Sequence, residues 1–238
     1  VTQNVDKIAE ELEKGKKEEQ DNKQGMKVEQ PASGEKIFYS SVAYLQSTDD
    51  TSRLDEFRDK GDYEGLLQAA KEYYDGNGIN EQYTFASPLQ NKGDDLLIED
   101  KDFAVVYNNS VGGTYEVMLK YSEQEIRDHI TRYGTRLASD DIKEVAKDMV
   151  AEQFQAITKQ RIPVFEMPSG DILYAGYNRE TDTLDVGTVV NAGLVPNHQF
   201  PYDHDNSLES NLQSVHSELS HMEQYQEEEV EYSGGMHR

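Results

Sequence analysis

The chain contains neither cysteine nor tryptophan among its 238 residues. Without thiols there is no disulfide, thiolate nucleophile, iron–sulfur cluster or Cys-ligated zinc, and any metal would have to be held by His, Asp, Glu or Tyr. Cations are also scarce, with 23 Lys and Arg against 47 Asp and Glu, a formal net charge of −24. Nucleic-acid binding relies on cations that displace counterions condensed on phosphate. A surface richer in carboxylates than in cations repels both nucleic acid and anionic membrane. No window approaches the roughly 18 uninterrupted apolar residues of a membrane-spanning helix. Apolar side chains make up 35% of the chain, a lean supply for a core. The patterns G-x-S-x-G, G-x-x-x-x-G-K-[ST] and G-x-G-x-x-G are absent, which removes the hydrolase elbow and the common nucleotide-binding loops.

Residues 1–34 have neither the apolar run of a signal peptide nor the Arg- and Ser-rich composition of a transit peptide, so the chain reads as not exported and cytoplasmic. Lys14 to Gly25 carries no apolar side chain, and such a stretch cannot offset the cost of ordering its backbone. The expectation is a disordered charged tail over 1–34, an α+β module over 35–159, a β-meander with a C-terminal helix over 160–226, and an acidic flexible tail over 227–238. The tails do not account for the acidity, since −18 of the net charge falls between residues 35 and 222.

Within that span, Lys36 to Leu45 is rich in β-branched and aromatic residues and predicts a strand. A helix pair follows, with Leu54 and Phe57 on the first and Leu66, Leu67, Ala70, Tyr73 and Tyr74 on one face of the second, which Asp62 caps. Tyr83–Ala86, Phe103–Tyr107 and Thr114–Tyr121 predict strands. The last alternates, with Tyr115, Val117, Leu119 and Tyr121 sharing one face. Ser122-Glu-Gln-Glu125 has the form of a capping box that opens a helix, and Ile142 to Ile157 carries apolar residues at helical spacing. Three strands joined by short links, Ile162–Met167, Ile172–Tyr177 and Leu184–Val190, predict an antiparallel meander. Leu208, Leu212, Val215, Leu219 and Met222 then form a helical stripe, with Asn206 and Glu209 as its expected cap. It is too short for a coiled coil and should dock on its own sheet. The order of elements indicates an α+β fold with mostly antiparallel sheet and packed amphipathic helices.

The stretch Asn191–Asp205 reads as a long connection, a common setting for function. Its His198, Asp203, His204 and Asp205 are the candidate metal ligands, able in principle to hold Zn, Mn or Fe or to pair a base with a carboxylate. The competing reading has Asp203 and Asp205 at the start of the following helix, against its dipole. An EF-hand is excluded, because counting from Asp203 places Leu208 where Gly belongs and Ser214 where the bidentate Glu belongs. His216 and His221 are five residues apart, on different faces of a helix, and do not make H-E-x-x-H. Ser33-Gly-Glu-Lys36 matches S-x-x-K by chance, and acidic neighbours such as Asp94-Asp95, Glu99-Asp100 and Asp140-Asp141 follow from composition alone. Tyrosine is the enriched aromatic, 15 against 7 Phe, and suits the edges of a thin core.

With no catalytic signature, the sequence favours a non-enzymatic acidic module that binds a protein partner, a basic one being the charge-matched case, and uses no cofactor. The runner-up is a mimic of nucleic acid that inhibits a DNA-processing or restriction enzyme, its carboxylates imitating phosphates. A third reading is a metal-dependent enzyme centred on the 198–205 stretch.

Overall fold

The computed structural model describes residues 35–46, 48–74, 83, 85–89, 95–109, 112–158 and 161–225. The predicted segments 1–34 and 227–238 lie outside the described residues. Among the described residues the fold is α+β, with five helices and two four-stranded antiparallel sheets. The chain divides into two compact units. One holds the described residues up to Ile126 together with Leu137–Ile142, and the other holds Arg127–Arg136 together with the described residues from Lys143 onward.

The first unit runs β1 (Ile37–Leu45), α1 (Ser52–Asp59), α2 (Tyr63–Lys71), β2 (Leu96–Glu99), β3 (Phe103–Asn108) and β4 (Thr114–Ser122), with sheet order β1-β4-β3-β2. The alternation read in β4 is realised, with Tyr115, Val117, Leu119 and Tyr121 all buried. Tyr115 and Val117 pack with Val105 of β3 against Leu54 of α1 and Leu66 of α2. The opposite face is covered too, because Ala104, Val106 and Met118 form a second buried cluster with Tyr39 and Leu97. Asp62 caps α2 as expected, accepting the Gly65 N–H at 2.9 Å.

One reading of this unit is corrected. Tyr83 and Phe85 are helical, and among the described residues the segment's backbone pairs with the sheet through an isolated antiparallel bridge between Ser87 and Tyr39. The aromatic and β-branched content that suggested a strand at Tyr83–Ala86 serves instead to place Tyr83 against the Tyr121 ring, 4.2 Å between centroids. The strand β2, at one edge of the sheet, was not read at all, because its four residues are too short to display a period.

The helix α3 (Glu123–Tyr133) opens on the predicted capping box. Ser122 Oγ accepts the Glu125 N–H at 3.1 Å, and Glu125 Oε2 accepts the Ser122 N–H at 2.7 Å. It stops at Gly134, whose φ of +76° is open to glycine at little cost. The long helix α4 (Asp140–Thr158) follows. The boundary between the units passes through both helices.

The second unit carries β5 (Ile162–Glu166), β6 (Ile172–Asn178), β7 (Thr183–Val190), β8 (Gly193–Pro201) and α5 (Leu208–Ser220), the strands pairing in chain order as an antiparallel meander. The stripe read on the last helix is its buried face. Leu208, Val215 and Leu219 join Val150 and Phe154 of α4 on Leu173, Ala175, Leu184, Val186 and Phe200 of the sheet, with Leu212 and Met222 at the margin. Full burial of each such side chain is worth about 1.5–3 kcal/mol.

The connection read across Asn191–Asp205 is also corrected. Most of it is β8, reached through the two-residue turn Asn191-Ala192, whose φ angles of +49° and +63° are those of a primed hairpin turn. The turn signal was obscured because Ala stands where Gly is usual. Pro196 and Pro201 also argue against a central strand, but β8 is an edge strand, where a missing N–H is tolerated. The cap of α5 is Ser207, which accepts the Ser210 N–H at 3.1 Å, rather than Asn206.

Candidate functional site

The second unit holds a cleft of about 370 Å³ between the end of α3, the middle of α4 and the segment that leads from β8 into α5. Strand register builds its floor. Thr183 pairs with Pro201, and the Tyr202 N–H donates to the Asp182 carbonyl at 3.0 Å. The chain that leaves β8 therefore turns back over Asp182. Two residues later the His204 imidazole reaches that carboxylate, its Nε2 lying 2.8 and 2.9 Å from the two oxygens. Asp182 also accepts the Tyr177 hydroxyl at 2.7 Å. Tyr202 lies between the two partners, with ring centroids 5.5 Å from Tyr177 and 4.9 Å from His204.

Burial, followed by the Asp182 and Asp203 charges, pushes the Tyr202 hydroxyl up to about 12. Burial and the hydrogen bond to Asp182 raise that of Tyr177 as well. In both cases a low-dielectric setting beside a carboxylate disfavours a second negative charge.

The entry to α5 is held by Asn211, which is buried. Its Oδ1 accepts the Asp203 N–H at 2.9 Å, and its Nδ2 donates to the carbonyls of Asp203 and Ser207, both at 2.9 Å. Asp203 in turn accepts from the Asp205 N–H and from Asn206 Nδ2. Asp205 Oδ1 accepts the Thr135 N–H at 2.7 Å, tying the end of α3 to this segment.

The four residues read as metal ligands are thus spread over separate tasks. His198 lies on β8 with Nε2 2.8 Å from the Tyr225 hydroxyl. Asp203 organises the turn into α5, His204 pairs with Asp182, and Asp205 bonds Thr135. Among the described residues no group of three or more His, Asp and Glu is placed to hold a metal ion. The sequence reading missed Asp182 and Asn211. Asp182 precedes a strand in a turn, and only the β7–β8 register brings it to His204. Asn211 sits within the apolar stripe of α5, and a polar residue at an inward position is the signal that marked it.

Chemically, the cleft joins apolar walls from Ile130, Met149, Val150 and Leu208 to the Asp205 carboxylate. Asp205 makes no ion pair among the described residues. Such a lining suits an aliphatic stem that ends in a cation. Comparison with protein-family models, curated proteins and solved structures found no match.

Proposed function

We propose that the chain is a non-enzymatic binding module for a protein partner that presents basic side chains. The observation that carries this reading is how the cations are spent. Arg53, Arg58, Lys60, Lys71, Lys120, Arg127, Lys147 and Arg179 each lie within ion-pair distance of a carboxylate of their own chain. These eight cations are matched by carboxylates of their own chain, and the excess of 47 acidic over 23 basic residues is what favours a basic partner. The exposed ones among them, such as Arg53–Glu72 and Lys60–Glu56, contribute little to stability, whereas an excess of one sign accelerates encounter with a surface of the other. The cleft offers a seat for one Lys or Arg, its stem along Met149 and Leu208 and its charge at Asp205.

A nucleic-acid mimic would call for carboxylates at phosphate-like spacing without intervening cations. On α4, Glu144 and Asp148 instead share Arg179, and Glu144 also pairs with Lys147. That pattern favours the protein-binding reading.

The test is calorimetric titration of the full chain with synthetic oligolysine and oligoarginine peptides at low and at about 0.5 M salt. Binding at low salt that weakens with salt, and weakens several-fold in Asp205→Asn, supports the proposal. Asparagine keeps the oxygen that Thr135 needs, so loss of binding there reports the charge and not the fold. Absence of binding at low salt overturns the proposal, and binding indifferent to Asp205→Asn removes the cleft as the seat.

A further inference from the structure

The bond between His204 and Asp182 fixes more than the position of the ring. A carboxylate only accepts, so Nε2, which lies 2.8 and 2.9 Å from the two oxygens, is the nitrogen that carries the proton. In the neutral imidazole the other nitrogen, Nδ1, then keeps its lone pair and is an acceptor. Nδ1 makes no hydrogen bond among the described residues. It is also absent from the buried polar atoms that lack a partner there, which are the hydroxyls of Tyr74 and Tyr121. Nδ1 is therefore reached by solvent, on a ring that lines the cleft beside Asp205.

Asp205 is half committed in the same way. Its Oδ1 accepts the Thr135 N–H at 2.7 Å, and an added Cβ at Gly134 would meet that same oxygen. The end of α3 thus occupies the Oδ1 side of the carboxylate. Oδ2 has no partner among the described residues. A ligand in the cleft meets two acceptors from neighbouring positions of the chain, one charged and one neutral.

We infer that the cleft takes the primary ammonium of a lysine side chain, held by Asp205 Oδ2 and His204 Nδ1 together. The inference rests on the cleft as the seat for a basic side chain and names which base it takes. Arginine gains over lysine when its fork meets both oxygens of one carboxylate, and here one of those oxygens is engaged. A tetrahedral ammonium reaches acceptors that lie in different planes, whereas the guanidinium donors all lie in one. The residues that α3 and α4 bring to the cleft are uncharged, so neither helix places a cation against the ligand. Asp182 is a positioning residue, since it keeps the proton on Nε2 and leaves Nδ1 free to accept.

Nuclear magnetic resonance of the full chain with nitrogen-labelled histidine, at pH 8 where an ordinary histidine is neutral, tests the inference. The probes are blocked single residues, Nα-acetyl-lysine amide and Nα-acetyl-arginine amide, which read one seat and not the charge of the whole surface. The lysine probe should move the His204 Nδ1 resonance and leave Nε2 protonated, and the arginine probe should bind several-fold more weakly. His204→Phe, with its fold checked by circular dichroism, should weaken the lysine probe several-fold. An Nδ1 that neither probe moves overturns the inference, as does arginine binding equal to or tighter than lysine. The oligolysine titration described above separates this failure from that of the binding module itself. Oligolysine that binds while Nδ1 stays unmoved sinks this inference alone, and oligolysine that fails to bind at low salt sinks both.

Discussion

The Asp205 carboxylate accepts the Thr135 N–H at 2.7 Å across 70 residues of sequence. Its neighbour in that contact is Gly134, where an added Cβ would meet the same carboxylate. The end of α3 and the entry to α5 are therefore fitted to each other through one oxygen. Gly134→Ala faces both a left-handed backbone and this collision, and should cost about 2 kcal/mol or more. Asp205→Ala should cost about 1 kcal/mol through the lost hydrogen bond. The double variant should be less destabilised than the two effects added, because removal of the carboxylate makes room for the methyl. Urea unfolding of the four proteins measures this coupling, and strict additivity would contradict it.

Asn211 is buried among leucines yet holds both ends of the loop 203–207. Asn211→Leu improves the apolar stripe of α5 but leaves the Asp203 N–H and two carbonyls without their partner. The unmet polar groups outweigh the added apolar surface, and a net loss of roughly 2–3 kcal/mol is expected. A stabilised Asn211→Leu, seen as a higher melting temperature, would show that the loop finds other partners.

The cap of α5 separates two neighbouring residues. Ser207→Ala removes the oxygen that accepts the Ser210 N–H and should cost about 1 kcal/mol. Asn206→Ala loses only a side-chain bond to Asp203 and should cost less than half as much. Thermal unfolding of both variants ranks them directly.

Alkaline titration reads the tyrosines cleanly, because the chain has no tryptophan. In Tyr202 the hydroxyl is pushed from an ordinary value near 10 up to about 12, and that of Tyr177 is raised also. A group whose folded value exceeds its unfolded value binds its proton more tightly when folded. Its contribution is therefore intact below pH 10 and is lost as pH climbs toward 12. Tyrosinate absorbance should show a late group of tyrosines that ionise together with the loss of dichroism. Tyr202→Phe should shift that alkaline transition to higher pH, and an unchanged midpoint would refute the assignment.

Metal addition tests the 198–205 stretch. With His204 bonded to Asp182 and Asp205 to Thr135, equimolar Zn or Mn given to chelator-treated protein should leave the melting temperature unchanged. A rise of several degrees would support the metal reading, since binding to the folded state alone stabilises it.

What the sequence made legible follows from how local the determining contacts are. The capping box at Ser122–Glu125, the alternation of β4 and the stripe of α5 are each settled within a few residues, and each is present in the fold. Edge elements were harder. The four residues of β2 offer no period, and β8 combines two prolines with a turn that lacks glycine. The site lies furthest from local reach. His204 was legible as a candidate, but its partner is 22 residues upstream and is selected by the pairing of Thr183 with Pro201, which no short-range pattern encodes. The candidate residues themselves were drawn together by sequence proximity, while the fold sends their side chains to different partners.

The two sheets differ in one further respect that follows from their strand orders. In the β5–β8 meander every pairing joins consecutive strands, so each closes a short loop and can zip from its own turn. In the other sheet β1 must find β4, matching Ile37 with Ser122, and most of the intervening chain has to be gathered before that ladder rewards it. Refolding should therefore be kinetically biphasic, with protection against hydrogen exchange acquired first by the amides of β6 and β7 and later by those of β1.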